Sequence, residues 1–394
     1  MEAFDRTWDQ LTSSERRARL IEISKVFLTL GTIAFGGPAA HIAMMSKEIV
    51  EKRKWISRQR FLDLLGSVNL IPGPNSTELA IHLGFHRGRW AGLVLAGSCF
   101  ILPAMLIVLI LAFLYVKYEH MPQLSWLLYG IKPVILAIVL QALWNLGLSA
   151  IRTKTSIAIV LAVIILTMAG FHELVLLVLA GSISMIIGNW QKVKNNTHTL
   201  SAPLLAFSLG SAIEPKIAGA TSQLFWIFLK IGSILYGSGY VLLAFLQKDF
   251  VDRLGVLSSQ QLLDAVAIGQ FTPGPVFTTA TFIGYLISGV PGALMGTLGI
   301  FLPSFVFVAV LTFWMDKLRT NPWVASFIDG VTVASLALMA MVSLKLGVAA
   351  VIDIPTAILL ICGLVTVFRF KLNSAWLVLA GGLIGLGRYL WITL

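Results

Sequence analysis

The stretch NLIPGPNSTELA, residues 69–80, combines groups that can bind an anion with a backbone that cannot remain helical. Pro72 and Pro74 lack amide hydrogens, so the incoming helix must end near Leu70, whereas Pro74 suits the first turn of a new helix. A helix start presents free amides and the positive end of the helix dipole, and both attract anions. The donors predicted at this helix start are those of Gly73, Asn75, Ser76 and Thr77.

The elements that position these groups are predicted to lie in a membrane. The chain has 394 residues, of which 57% are hydrophobic and 12% charged, whereas a soluble domain carries roughly 25% charged residues. Apolar windows of about 20 residues recur from near residue 25 to the end. Residues 1–24 are polar and lack the short apolar core of a cleavable signal peptide. We therefore predict an all-α polytopic membrane protein.

The charges and cysteines argue against several other classes. The net charge of +11 is scattered among the apolar segments, which favours contact with anionic lipid over nucleic-acid binding. Cys99 and Cys362 lie in different segments, so neither a disulfide framework nor a metal site is predicted, and no cofactor is expected.

The sequence repeats itself at a nearly fixed offset. FLTLGTIAFGGP from Phe27 lies over FLKIGSILYGSG from Phe228, and IPGPNST (71–77) lies over TPGPVFT (272–278), both at an offset of 201. After a one-residue deletion the offset is 200, and it pairs Gly84 with Gly284, Gly92 with Gly292, Pro103 with Pro303, Gly130 with Gly330 and Gly181 with Gly381. A register kept over roughly 150 residues predicts two homologous repeats.

This duplication divides the chain into four predicted regions. They are a cytoplasmic N-terminal segment at 1–24, a first repeat at 25–190, a linker at 191–223 and a second repeat at 224–394. Each repeat reads as about six apolar segments. Glycines interrupt the first segment of each repeat, and Pro-Gly-Pro interrupts the second.

The positive charges predict opposite orientations for the two repeats. The loop at 47–60 carries six Lys and Arg residues, which places it in the cytoplasm. Its counterpart at 248–261 carries two, and other loops show the reverse bias. Such a reversal is typical of inverted-topology repeats, which are related by an axis in the membrane plane. Inversion needs an odd number of crossings, and the short stretch 200–213 in the linker could supply one.

Interrupted segments at equivalent positions of two inverted repeats are the best sequence indication of a transporter's central site. The second Pro-Gly-Pro stretch contributes Thr272, Gly274, Thr278 and Thr279. The glycine breaks FGGPAAH and YGSGY either contact a ligand or let helices pack closely; they add Gly36, Gly37, Tyr236, Gly237 and Ser238.

An anion in such a site needs countercharge. Lys230 lies about two turns before the second glycine break and is predicted to supply it, unless its ammonium extends to the membrane interface. Lys132 has the same two interpretations.

Four side chains are candidates for proton coupling: Asp63, Glu78, His82 and Asp264. Each also has a structural interpretation. Asp63 and Asp264 can stabilise helix starts, Glu78 can close a capping box with Asn75, and His82 can be a packing residue.

These motifs resemble one family. FGGP and PGPNSTELA in the first half, with PGPVFTTATFIGY in the second, resemble the chromate ion transporter family, and specifically its long two-domain members. The similarity covers about 25–390. It implies a carrier in the bacterial plasma (inner) membrane that expels chromate, a tetrahedral dianion, is driven by protons and confers chromate resistance. YGSG departs from FGGP, so the two glycine breaks need not be equivalent in binding.

Other functions fit the sequence less well. It lacks the GxxxxGK[ST] loop of an ATP-driven pump, its six histidines are spread out without HExxH, and we predict no enzyme activity. A carrier of sulfate-like oxyanions and an anion channel remain open, because chromate and sulfate are nearly isosteric and broken half-helices also build channel filters. The predicted partners are the oxyanion, protons, the lipid bilayer and a second copy of the chain in a homodimer.

Overall fold

The computed structural model describes residues 8–35, 37–118, 121–189, 220–236, 241–319, 321–370 and 374–393. The described chain is helical, and the predicted all-α architecture with an internal repeat is confirmed. The first half contains α1 (Ser13–Ile33), α2 (Gly37–Met45), α3 (Arg58–Val68), α4 (Asn75–Tyr118), α5 (Pro122–Ala150), α6 (Lys154–Met168) and α7 (Glu173–Gly188). The second half contains α8 (Ala220–Ile234), α9 (Leu242–Leu246), α10 (Ser259–Phe271), α11 (Thr279–Arg319), α12 (Pro322–Ala350), α13 (Ile354–Phe370) and α14 (Ser374–Thr393). The π-helical turns Ser46–Lys52 and Gln247–Arg253 follow α2 and α9, and 3-10 helices span Trp8–Gln10 and Val276–Thr278.

Long apolar helices make this a multi-pass membrane protein. Five helices of the described chain are long and apolar enough to cross a bilayer: Asn75–Tyr118, Pro122–Ala150, Val276–Phe313, Pro322–Ala350 and Ser374–Ile392. Leu102, Leu106 and Ile110 are exposed along one face of α4 at a spacing of one turn, as expected for a surface in contact with lipid.

The first interrupted segment turns back instead of crossing. α1 ends at Ile33, and α2 begins at Gly37, whose φ of +75° suits glycine. The two arms line one groove, and Arg53, at the end of the returning arm, bonds Glu22 of α1 at 3.0 Å. The chain therefore leaves the membrane on the side at which α1 entered, which we name the Glu22 face.

The second interrupted segment is also a re-entrant hairpin. Ser57 caps α3 by accepting a hydrogen bond of 3.2 Å from the Arg60 amide, and α3 leads to the Pro-Gly-Pro loop. The first arm of α4, residues 75–87, returns to the Glu22 face, because Arg87 at its end bonds Glu22 at 3.0 Å.

Glu22 holds the open ends of both hairpins together. It accepts hydrogen bonds from Arg53 at 3.0 Å, Trp55 at 3.2 Å and Arg87 at 3.0 Å. Burial alone would raise the pKa of Glu22, but the hydrogen bond and charge of Arg87, with the bonds from Trp55 and Arg53, lower it. The carboxylate is therefore ionised at neutral pH and anchors this face.

The first crossing begins after a sharp break in α4. Gly88 and Arg89 leave the helical conformation, with φ of −138° and +51°. Gly84 then lies against Gly92, where a methyl group on either would overlap the other's backbone. The second arm of α4, residues 90–118, crosses the membrane packed on α1. The second half repeats the break at Ser288 and Gly289 and the glycine contact at Gly284 and Gly292.

Equivalent helices of the two halves run in opposite directions. Tyr129, near the start of α5, donates a hydrogen bond of 2.7 Å to Asp353, which follows the end of α12. Conversely, Arg152 follows the end of α5 and acts electrostatically on Asp329, near the start of α12. An axis along the membrane normal would keep α5 and α12 parallel, so the repeats are related by an axis in the membrane plane.

The re-entrant hairpins of the second half therefore open to the opposite side. Tyr115, at the far end of the crossing arm of α4, donates a hydrogen bond of 3.0 Å to Asp264, near the start of α10. We name this side the Asp264 face. α7 ends at the Glu22 face, where Asn189 bonds Ser326 at 3.4 Å, whereas α8 begins at the Asp264 face. The predicted extra crossing at 200–213 lies outside the described residues.

Each half packs its last two helices on the other half. α13 and α14 pack on α5, and α6 and α7 pack on α12. Gly130 of α5 touches the backbone of Gly381 in α14, and Gly330 of α12 touches that of Ala180 in α7. Small residues allow this close approach. Because each half packs its last two helices on the other half, the two repeats form a single folded unit.

Candidate substrate site at the hairpin tips

The tips of the re-entrant hairpins meet through two equivalent backbone hydrogen bonds. The Gly73 amide donates to the Leu235 carbonyl at 2.8 Å, and the Gly274 amide donates to the Ala34 carbonyl at 2.9 Å. Each Pro-Gly-Pro loop thus satisfies a carbonyl at the end of the first helix of the other repeat. Gly73 and Gly274 have φ of +133° and +85°, which favours glycine. Both amides are engaged in this conformation, and their contact with substrate stays a prediction.

The first Pro-Gly-Pro loop is surrounded by buried polar side chains. His41 bonds the Ala34 carbonyl through Nε2 at 3.0 Å and Ser76 Oγ through Nδ1 at 3.2 Å. A carbonyl only accepts, so Nε2 carries the hydrogen and neutral Nδ1 accepts from the serine hydroxyl. The Pro74 carbonyl accepts from the amides of Thr77 and Glu78. The amides of Asn75 and Ser76 therefore precede the first turn of α4, as the anion-site prediction requires.

Glu78 has an unusual environment for a carboxylate. Its side chain is completely buried, and neither carboxylate oxygen has a hydrogen bond of good geometry or a salt bridge to the described residues. A methyl group at Gly73 would overlap the Glu78 carboxylate and lie 2.9 Å from the hydroxyl of Ser304. The Ser304 hydroxyl interacts with the Glu78 carboxylate, and Tyr236 interacts with that carboxylate electrostatically. An isolated ionised carboxylate in such a place would cost several kcal/mol.

Two further polar groups near this loop lack a hydrogen bond to the described chain. They are Thr77 Oγ and the ring of His82, both buried. His82 lies one turn beyond Glu78 on α4, on the same side of the helix. The first repeat thus concentrates polar groups at its tip.

The second Pro-Gly-Pro loop has its hydroxyl groups turned to its own backbone. Thr272 donates to the Gly269 carbonyl at 3.2 Å, Thr278 to Pro275 at 2.8 Å and Thr279 to Val276 at 2.8 Å. Their hydroxyl hydrogens are used locally, whereas the prediction assigned them to substrate. Their role in binding stays a prediction that requires these bonds to exchange.

The basic candidates are paired with carboxylates. Lys230 bonds Asp249 at 2.7 Å, so its charge is compensated in this conformation. Lys132 bonds Asp264 at 3.1 Å across the repeat interface, and Gln260 at 3.0 Å. Neither lysine presents an isolated charge to the tips, and a substrate role for Lys230 stays a prediction.

The remaining candidate residues differ in their burial and in their hydrogen-bond partners. Asp264 is buried and bridges the repeats through Lys132 and Tyr115, whereas its equivalent Asp63 is half-buried and bonded to Gln59 at 3.4 Å. Tyr236 lies next to the Leu235 junction. Among the other predicted site residues, Gly36, Gly237 and Ser238 lie outside the described residues. No three His, Cys, Asp or Glu side chains of the described chain come together as metal ligands.

Comparison with known sequences assigns the family. The profile described as "Chromate transporter" matches residues 21–186 and again residues 222–386. This chain belongs to the chromate transporter family. The Chromate transport protein of Cupriavidus metallidurans is 31% identical over 377 residues, 94% of this chain and 93% of the relative.

Two further relatives of the chromate transporter family match at similar length. The Probable chromate transport protein of Synechococcus elongatus is 30% identical over 356 residues, 89% of this chain and 90% of the relative. The Chromate transport protein of Pseudomonas aeruginosa is 30% identical over 378 residues, 91% of this chain and 90% of the relative. No solved structure matches the chain.

Sequence reasoning missed three residues of this chromate transporter family member. Ser304, Tyr115 and Gln260 contact the candidate carboxylates or their lysine partner from distant parts of the chain. A signal existed for Ser304, because it follows Pro303, which the repeat register pairs with Pro103. Tyr115 and Gln260 carry no such signal, since their partners are set by how the repeats interlock.

Proposed function

We propose that this protein is a secondary active transporter that exports chromate across the bacterial plasma membrane in exchange for protons, and so confers chromate resistance. The observation that carries the proposal is the junction of re-entrant tips at which Glu78 is buried without a salt bridge to the described residues. Intramembrane ionisable residues are usually functional. The substrate is inferred from relatives named chromate transport proteins that align over about nine-tenths of the chain.

Simple energetics support export. Moving one elementary charge across the membrane changes the free energy by about 2.3 kcal/mol per 100 mV of membrane potential. The free energy of a dianion therefore falls by about 4.6 kcal/mol per 100 mV when it leaves a negative interior. A proton entering in exchange adds about 2.3 kcal/mol per 100 mV and about 1.4 kcal/mol per pH unit. Potential and pH gradient can therefore be tested separately as driving forces.

The proposed mechanism is alternating access. The oxyanion binds at the helix start of α4, where the amides of Asn75 and Ser76 and the Thr77 hydroxyl provide donors. Rocking of the two inverted repeats then exposes the tips first to one face and then to the other. The basic loop at 47–60 orients the Glu22 face to the cytoplasm. Opening of the Asp264 face must separate the contact between Lys132 and Asp264.

The test is uptake of labelled chromate into everted membrane vesicles. We expect accumulation that saturates with chromate, collapses with an uncoupler and resists excess sulfate. Valinomycin with potassium removes the potential and nigericin removes the pH gradient, so the two driving forces are resolved. Vesicles that lack the protein are the control.

Each alternative predicts a different result in the same vesicles. Equal competition by sulfate would assign a general oxyanion carrier. Flux that rises linearly with concentration and follows voltage alone would assign a channel. Accumulation no greater than in the control vesicles would refute transport of chromate.

A further inference from the structure

The two repeats build two equivalent tip pockets, and they differ in polarity. Beside Gly73 lie the Glu78 carboxylate and the Ser304 hydroxyl. Beside Gly274 lies Ala104, which occupies the position equivalent to Ser304 at the repeat offset of 200. At the offset of 201, the second-half counterpart of Glu78 is Thr279, whose hydroxyl donates to the Val276 carbonyl at 2.8 Å. Among the described residues, a carboxylate and a hydroxyl without a hydrogen bond therefore meet only in the Gly73 pocket.

Ser304, like Ser335, lacks the local hydrogen bond that many helical hydroxyls of the described chain make. Ser233 and Ser343 donate to the carbonyl four residues earlier, at 2.7 and 2.8 Å, which is the usual local bond. Ser304 is completely buried in α11, yet its hydroxyl makes no such bond. Its hydroxyl lies beside Glu78 of the other repeat instead.

We propose that Glu78 and Ser304 together form the proton-binding site of the carrier, with one site per chain, and that the Gly274 pocket binds no proton. Glu78 carries the proton, and Ser304 is a positioning residue that hydrogen-bonds its carboxyl group across the repeat interface. This inference rests on the proposed function and names the residues that couple it to protons.

The proton step is balanced within this pocket. A proton from the Asp264 face adds to a carboxylate oxygen of ionised Glu78, and the carboxylic O–H bond breaks again when the pocket opens to the Glu22 face. Ser304 keeps its own hydrogen; it donates to the carboxylate and accepts from the carboxylic acid. Among the described residues, the other titratable groups near this helix start are Tyr236 from the second repeat, His82 on the same helix and His41, which is bonded to Ser76.

The decisive variant is Glu78→Gln, because glutamine has the size of the neutral acid and cannot take up a proton. We expect chromate–chromate counterflow to continue in vesicles and to become insensitive to pH, whereas accumulation driven by a pH gradient is lost. Pumping by a pH gradient that persists in Glu78→Gln would overturn the proposal.

Ser304 is tested against a matched buried serine. In Ser304→Ala we expect pH-driven accumulation to fall about tenfold, the effect of one hydrogen bond to a charged group, and Ser304→Thr to restore it. Ser343→Ala, which removes a hydroxyl bonded to its own helix, should leave it unchanged. Equal losses of pH-driven accumulation in Ser304→Ala and Ser343→Ala would show that Ser304 contributes packing alone.

The two proposals fail in different ways. Wild-type vesicles without chromate counterflow would refute the proposed function. Wild-type counterflow and accumulation, combined with unaltered pH dependence in Glu78→Gln, would refute only the proton site.

Discussion

At the junction between the repeats, Gly73 has no room for a side chain. Its φ of +133° is rarely adopted by other residues, and a methyl group would overlap the Glu78 carboxylate. We expect Gly73→Ala to cost about 1–3 kcal/mol through backbone strain and to abolish transport by displacing Glu78. Thermal unfolding in detergent and vesicle uptake measure the two effects.

The control for Gly73 lies on the preceding helix. A methyl group added at Gly66 of α3 would meet no neighbouring side chain or packed helix within 4 Å, and alanine is the better helix former by about 1 kcal/mol. Gly66→Ala should therefore be neutral or stabilising. Equal destabilisation of the two variants would contradict a special role for Gly73.

Asp353 predicts how stability changes in acid. Burial alone would raise the pKa of Asp353, but hydrogen bonds from Tyr129 and Thr356 and the charge of Arg388 hold it at about 2, below its usual 3.8. The ionised form therefore stabilises the fold fully above about pH 4, and this contribution disappears as the pH falls to about 2.

Asp353→Asn removes this titration from the native state. We expect the variant to be less stable than wild type at pH 7, and the difference to shrink as the pH falls from about 4 to about 2. Unfolding midpoints in detergent across this range provide the measurement. A difference in stability that stays constant down to pH 2 would show that the stabilising effect of Asp353 does not depend on its charge.

At the scale of elements, α5 and α10 of opposite repeats are joined by a buried ion pair. Lys132 and Asp264 are both buried, with 3.1 Å between ammonium and carboxylate. Removing one partner leaves an uncompensated buried charge, which costs about 3–5 kcal/mol. Lys132→Met should therefore lower the unfolding midpoint strongly, and adding Asp264→Leu should recover most of the loss.

An exposed pair provides the comparison for Lys132. Lys345 bonds Asp252 at 2.8 Å, but its side chain is 56% exposed. Solvent weakens such pairs to about 0–1 kcal/mol, so Lys345→Met should have little effect. If Lys132→Met were no more harmful than Lys345→Met, α5 and α10 would not depend on the buried pair.

The positions of the helix breaks could be predicted from sequence, but the course of the chain after each break could not. Proline chemistry correctly ends α3 and starts α4 around residues 69–75. Whether the following arm crosses or returns depends on the break at Gly88 and Arg89, and arginine is not expected at φ of +51°. Periodicity reads 75–118 as apolar throughout, so it does not distinguish a hairpin from a span.

The contacts of the candidate site required the three-dimensional structure. Glu78 was a candidate from its place after Pro-Gly-Pro, but Ser304 reaches it from 226 residues away. Asp264 meets Tyr115 across a sequence separation of 149. Such pairings follow from packing between repeats, which a single sequence does not specify.

At the scale of the whole molecule, inverted symmetry places two sets of tips at one level and side-chain chemistry makes them unequal. The backbone hydrogen bonds from Gly73 and Gly274 are equivalent, so the backbone at the tips is arranged in the same way towards both faces. Glu78 and Ser304 occur on one side of that symmetry, opposite Ala104 on the other. A symmetric scaffold can rock between two similar states, whereas the proton coupling that we propose rests on the carboxylate of one of the two pockets.

The inverted arrangement itself predicts the sidedness of equivalent residues. Lys52 and Arg253 are related by the repeat offset of 201, are both exposed, and lie at the ends of the π-helical turns on opposite faces. In a Cys362→Ser background, we expect a membrane-impermeant maleimide to label Arg253→Cys in intact cells and Lys52→Cys only in everted vesicles. The remaining cysteine, Cys99, is buried, so the background protein is the control. Labelling of both positions from the same side would mean that the repeats are parallel, and the junction of opposed tips would then be excluded.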